Sequence, residues 1–226
     1  IVVRYDRIYL FTKNRTNPYS GYTYMYKIPN RVGKHIVTRY DSLYMGDALA
    51  QSWITDATLS RDLRHLVLLT HDRLWLISDF NRDQFLKGFV QEIELNSFTQ
   101  KESVCFKNDS VLVLADEESD LSTGELYEIN VAPEIALIDS LRKKEVTLGS
   151  KEFEDSLLVT IKSVVAADVF YEFFNGNMDR VDFARIDFFE PGEHSFYIKP
   201  KNMMNGNYML NIKVGNRPHG FFINRF

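Results

Sequence analysis

Residues able to do chemistry are sparse in this chain, and the densest group is a run of carboxylates, Asp116-Glu117-Glu118-Ser119-Asp120. Carboxylates gathered on a loop supply the hard oxygen ligands that Ca²⁺ prefers. Their spacing does not follow the EF-hand loop. The run reads either as a Ca²⁺ site built by Asp116, Glu117, Glu118 and Asp120 or as a solvated acidic loop. Five histidines stand at positions 35, 65, 71, 194 and 219, without His-x-x-x-His spacing, and no Cys-x-x-Cys accompanies them. Zinc therefore has no sequence signature. His65 and His71 flank an apolar run and read as turn or core residues. The single Cys105, in Ser103-Val104-Cys105-Phe106, reads as a buried small hydrophobe rather than a reactive thiol. There is no Gly-x-Ser-x-Gly elbow and no phosphate-cradling glycine loop. No catalytic residue emerges, and the sequence favours a non-enzymatic role. Two alternatives stand beside it. One is a calcium-assisted hydrolase acting on phosphoesters, and the other is a carbohydrate- or adhesin-type binding module.

The composition agrees with a folded, aromatic-rich protein. The chain has 226 residues, 45% of them hydrophobic, with 27 Lys and Arg against 31 Asp and Glu. That size and apolar content exclude disorder as the main state, and one cysteine excludes a disulfide scaffold. Phe, Tyr and Trp make up 14% of residues, which favours strands. Residues 1–40 carry eight Lys and Arg against Asp6 alone, whereas residues 41–133 carry seven against 17 acids. Such blocks read as complementary within one domain rather than as a nucleic-acid site. No run reaches the ~20 apolar residues of a membrane-spanning helix. The opening Ile1-Val2-Val3-Arg4-Tyr5 reads as a strand in progress, so the chain is expected to be the later part of a longer protein.

The elements that would position these groups are short strands. Up to residue 131 the expected strands include 7–11, 22–28, 35–40, 53–59, 65–70, 73–77 and 88–95. A second unit of similar order follows, with 101–106, 111–115 and 124–129. Trp53 to Gln100 forms one period, close to the ~40–50 residues of a four-stranded propeller blade. Asp56 and Glu102 occupy matching places in the two units, where they would either face a central channel or cap turns. Asn81–Leu86 reads as one helical turn. Residues 132–150, with Ala132-Pro133 and the charge run Arg142-Lys143-Lys144-Glu145, read as a linker. Strands return at 157–163, 168–174, 180–189, 194–198, 207–214 and 220–226. Asn175-Gly176-Asn177 and Pro191-Gly192 read as hairpin turns of an all-β sandwich.

The last 70–75 residues resemble the C-terminal sorting domain of proteins exported by the bacterial type IX secretion system. The matching stretches are Val169–Gly176, Gly192–Ile198 and above all Gly206-Asn207-Tyr208-Met209-Leu210-Asn211-Ile212, the family's Gly-x-Tyr-x-Leu-x-Ile pattern. Residues 53–131 resemble propeller segments of exported proteins from the same bacteria, carried by Trp53–Ala57, Leu66–Thr70, Leu74–Phe80, Thr99–Phe106 and Ala115–Glu118. The resemblance implies an all-β fold: a partial β-propeller of about three blades (1–131), a linker (132–150) and a small Ig-like β-sandwich (151–226). It implies an exported cargo, found at the cell surface or outside a Gram-negative bacterium. Its partners would be the type IX translocon and an outer-membrane shuttle protein. Gly206, Tyr208, Leu210, Ile212, Phe221 and Phe222 are the expected partner-binding residues.

Overall fold

Apolar residues in this chain recur at period two or in short runs, which is what strands require, and strands are what form. The computed structural model describes residues 1–48, 52–119, 122–201 and 203–226. Among the described residues the chain is all-β apart from one α-helix and short helical turns, with several antiparallel sheets, none of them closed. It divides into two compact units, Ile1–Ala136 and Leu137–Phe226.

In the first unit, β1 (Val2–Arg4), β2 (Arg7–Phe11), β3 (Tyr22–Pro29) and β4 (Arg39–Tyr44) make one antiparallel sheet in chain order. A second sheet follows in the same order: β5 (Asp56–Leu59), β6 (His65–Leu69), β7 (Arg73–Ser78) and β8 (Phe89–Glu94). A third contains β9 (Lys101–Phe106), β10 (Val111–Asp116) and, beyond the two-residue strands β11 (Glu118–Ser119) and β12 (Ser122–Thr123), β13 (Leu126–Asn130). Strand β6 shows how sequence dictates this order. All five of its residues are buried, and their side chains alternate between two cores. Leu66 and Leu68 pack with Tyr9, Met25, Trp75 and Ile77. Val67 and Leu69 pack with Leu74, Leu76, Leu112 and Leu114. A strand covered on both faces must be apolar throughout. Each of those four side chains stabilises the fold by about 1.5–3 kcal/mol on burial.

The second unit is entered through α1 (Ala132–Lys143). Then come β14 (Val146–Leu148), β15 (Glu152–Phe153), β16 (Leu157–Ser163), β17 (Ala167–Phe174), β18 (Arg180–Phe189), β19 (Gly192–Ile198), β20 (Gly206–Val214) and β21 (Arg217–Arg225). One sheet runs β14-β16-β19 and the other β15-β21-β20-β17-β18, antiparallel except that β15 lies parallel to β21. A single core joins them. Leu157, Val159, Ile161 and Ile198 come from the smaller sheet, and Val169, Phe173, Leu210, Ile212 and Ile223 from the larger.

Four expectations change. Residues 132–150 hold a 12-residue helix and β14 rather than a linker. Pro133 lies in the first helical turn, where its missing N–H leaves no hydrogen bond unmade. Pro191-Gly192 closes no hairpin: β18 pairs with β17 while β19 pairs with β16, so this turn passes from one sheet to the other. Asn175-Gly176-Asn177 does lie in a hairpin loop, between β17 and β18, and a second hairpin in this unit turns at Gly215-Asn216, between β20 and β21, with Gly215 at φ 59 where a side chain would be strained. The strand expected at 35–40 starts only at Arg39, leaving 30–38 as a loop. Finally, Cys105 is exposed. It faces Val113 across β10, while Val104, Leu112 and Leu114 take the buried face.

Candidate functional site

The larger sheet of the second unit offers the most distinctive surface. Strict alternation along β20 sends Leu210, Ile212 and Val214 into the core. Asn207, Met209, Asn211 and Lys213 therefore lie on the opposite face. Met209 pairs with Phe174 on β17 and with Phe222 on β21, forming an apolar row across three strands. Phe222 is 82% exposed. Beside this row lies an open groove of about 400 Å³, lined among others by Met178, Tyr208, Met209, Phe222 and Ile223. The Tyr208 hydroxyl donates to the Met204 carbonyl at 2.8 Å, fixing the ring at the groove wall.

The next row on the same face is ionic. Glu172 accepts from Lys213 at 2.7 Å, from Arg180 at 3.1 Å and from Asn211 at 3.2 Å. The Lys213 hydrogen bond holds the Glu172 carboxyl below its ordinary range against the opposing effect of partial burial, with Arg180 adding to it. Arg185 pairs with Asp168 at 2.7 Å. Exposed Phe170, Phe183 and Phe188 surround these charges. Strand β18 is the sheet's free edge, so its outer backbone groups are open to another strand.

The expected partner-binding residues divide between the two faces. Leu210 and Ile212 are 0% exposed and belong to the core, so they support the fold and touch no partner. Phe221 is half-buried and packs on that core. Gly206 begins β20 at φ 149 with open space around it. Tyr208 and Phe222 remain on the groove. Met209 and the Glu172 cluster were not singled out from sequence. The alternation that buries Leu210 was the available signal for Met209.

The acidic loop is less assembled. Asp116 accepts the Tyr127 hydroxyl at 2.9 Å, while Glu117 and Glu118 are exposed. Asp120 lies outside the described residues. Among the described residues no three His, Cys, Asp or Glu side chains converge as metal ligands. Asp56 accepts the Val104 amide at 2.9 Å, tying the second sheet to the third, whereas Glu102 is exposed and stands 4.0 Å from Lys13. His65 is buried and bonds Ser78 Oγ at 2.7 Å. Burial, followed by nearby Lys13, lowers the His71 pKa. Trp75 is buried, and Trp53 is half-buried under Arg15, 4.8 Å from its ring centroid.

Two ionic groups are buried against expectation, Lys101 on a strand and Glu145 at the end of the charge run assigned to a linker. Lys101 is fully buried, and its ammonium donates to His71 O, Ser97 O, Ser97 Oγ and Thr99 Oγ1 at 2.7–3.1 Å. Glu145 is buried between Arg217, His219 (2.8 Å) and Ser163 (3.1 Å). Both knit loops to strands. No family model matches the chain, and no curated protein matches it.

Proposed function

We propose that this chain is cargo of the type IX secretion system, exported to the surface or surroundings of a Gram-negative bacterium. In this reading the second unit is a small Ig-like β-sandwich acting as the sorting domain, bound by the translocon and an outer-membrane shuttle protein. The first unit is part of a propeller. The observation that carries the reading is the outward Met209–Phe222 pair beside Tyr208, with Met209 half-buried on the strand bearing the Gly-x-Tyr-x-Leu-x-Ile pattern and Phe222 exposed on the neighbouring β21. An apolar row left in water on a folded sheet is characteristic of a recognition surface. The free edge of β18 adds backbone groups that a partner strand can pair with.

Successive sheets that share cores, with β6 covered on both faces, support the propeller reading. So does Leu10 on β2, whose face is opposite to that of Tyr9 and would receive a neighbouring blade. Deleting residues 151–226 from the full-length protein is expected to leave it in the periplasm, as read by fractionation and surface proteolysis. Normal surface appearance after that deletion would refute the assignment.

A further inference from the structure

At one end of the first unit, aliphatic side chains stand in water among cations. The loop 30–38 reads Asn30-Arg31-Val32-Gly33-Lys34-His35-Ile36-Val37-Thr38. Val32 and Ile36 are 104% and 101% exposed, so neither touches the fold. The loop is nevertheless held in place. Its base docks on the β1–β2 turn through the Asn30 amide and the Asp6 carbonyl, 2.8 Å apart, and the His35 ring meets the Arg31 carbonyl at 2.9 Å. That turn presents Tyr5, 79% exposed, between Arg4 and Arg7. Arg4 in turn donates to the carbonyl of Arg82, itself an exposed cation.

Arg4 and Arg7 thus flank Tyr5, with the Arg4 guanidinium 5.5 Å from its ring centroid, and exposed Arg31 and Lys34 share the loop with Val32 and Ile36. The one acid within the turn and the loop, Asp6, is 3.5 Å from Arg7. Other cations of residues 1–40 do find carboxylates, as Lys27 does with Asp83 and Lys13 with Glu102. Arg31 and Lys34 have none among the described residues.

From this juxtaposition we propose that the loop 30–38, with Tyr5, is a docking finger for an anionic lipid surface. Val32 and Ile36 enter the boundary between headgroups and acyl chains, while Arg31 and Lys34 contact lipid phosphates. The charge selects this occupant. An apolar tip flanked by cations matches a surface that is negative outside and apolar just beneath. A nucleic acid would use the cations but would leave the aliphatic tips in water.

The test is co-sedimentation of the whole chain with phosphatidylcholine vesicles, with and without phosphatidylglycerol. Binding is expected only to the anionic vesicles and should fade as salt is raised. Val32→Asp with Ile36→Asp, and separately Arg31→Glu with Lys34→Glu, should each weaken it by about tenfold or more. Neither pair should change the melting temperature, because these side chains make no core contacts. Val32→Trp should show blue-shifted emission with anionic vesicles alone. Absence of binding would overturn the proposal, as would binding that survives both double substitutions. An emission of the Val32→Trp variant that does not move with anionic vesicles would overturn it too. Self-association without lipid, abolished by Val32→Asp with Ile36→Asp, would reassign the finger to a second copy of the chain.

Discussion

At the scale of single residues, the most consequential groups are two buried charges placed by partners distant in sequence. Burial would raise the Glu145 carboxyl, but hydrogen bonds from His219 and Arg217 outweigh it and hold the group below its ordinary range. Its stabilisation is therefore complete above the unfolded carboxyl value of about 4.3 and fades as pH falls below that toward the depressed folded value. Glu145→Ala, which takes the carboxylate away from Arg217, is expected to cost about 3 kcal/mol near neutral pH. Thermal melts should also show that the variant loses less stability than the parent on acidification. Lys101 behaves differently, since its partners are neutral oxygens. Burial first, partly offset by Asp116 and Asp72, lowers its pKa. Lys101→Met keeps the volume but strips the donors from the His71 and Ser97 carbonyls. Denaturant titration should show a loss of about 1–3 kcal/mol.

At the scale of elements, legibility followed how local the deciding contacts are. The bounds of β16 can be read from its own residues, because a half-buried strand advertises its face by alternation, whereas β18 is bounded by the turn residues before and after it, Asn175-Gly176-Asn177 and Pro191-Gly192. The apolar run of β6 likewise announced a strand, and its burial on both faces is seen in the fold. Helix α1 was hidden by Pro133, read as a breaker when it serves as a starter. The run Arg142–Glu145 read as part of a linker because nothing nearby in sequence says that Glu145 meets Arg217 and His219, 72 and 74 residues later. The candidate site was half legible for the same reason. The Gly-x-Tyr-x-Leu-x-Ile strand stood out and its alternation separates two faces, but the residues that complete the outward row, Phe174 and Phe222, became clear only from the pairing of β20 with β17 and β21. Gly88 illustrates a contact that no local pattern reveals. A Cβ there would lie 2.3 Å from the Ser78 carbonyl oxygen and 2.9 Å from Ile77 Cγ2. Gly88→Ala should therefore force β8 away from β7. We expect about 1–3 kcal/mol of destabilisation, measurable by chemical denaturation, although its backbone angles suit any residue.

At the scale of the whole molecule, stability and recognition fall on opposite faces of the same strands. Leu210 and Ile212 hold the second unit together, and Met209 with Phe222 present an apolar row outward. Substitutions on the two faces should therefore separate. Leu210→Ala creates a core cavity and should cost about 2–5 kcal/mol, with loss of export following from loss of fold. Phe222→Asp changes a side chain that is already in water, and its melting temperature should match the parent's.

The measurement that tests the central claim most directly is the fraction of Phe222→Asp protein reaching the cell surface, read by surface proteolysis beside the parent. The proposed sorting role predicts a folded variant retained in the periplasm. A folded Phe222→Asp variant that reaches the surface at the parental level would contradict it.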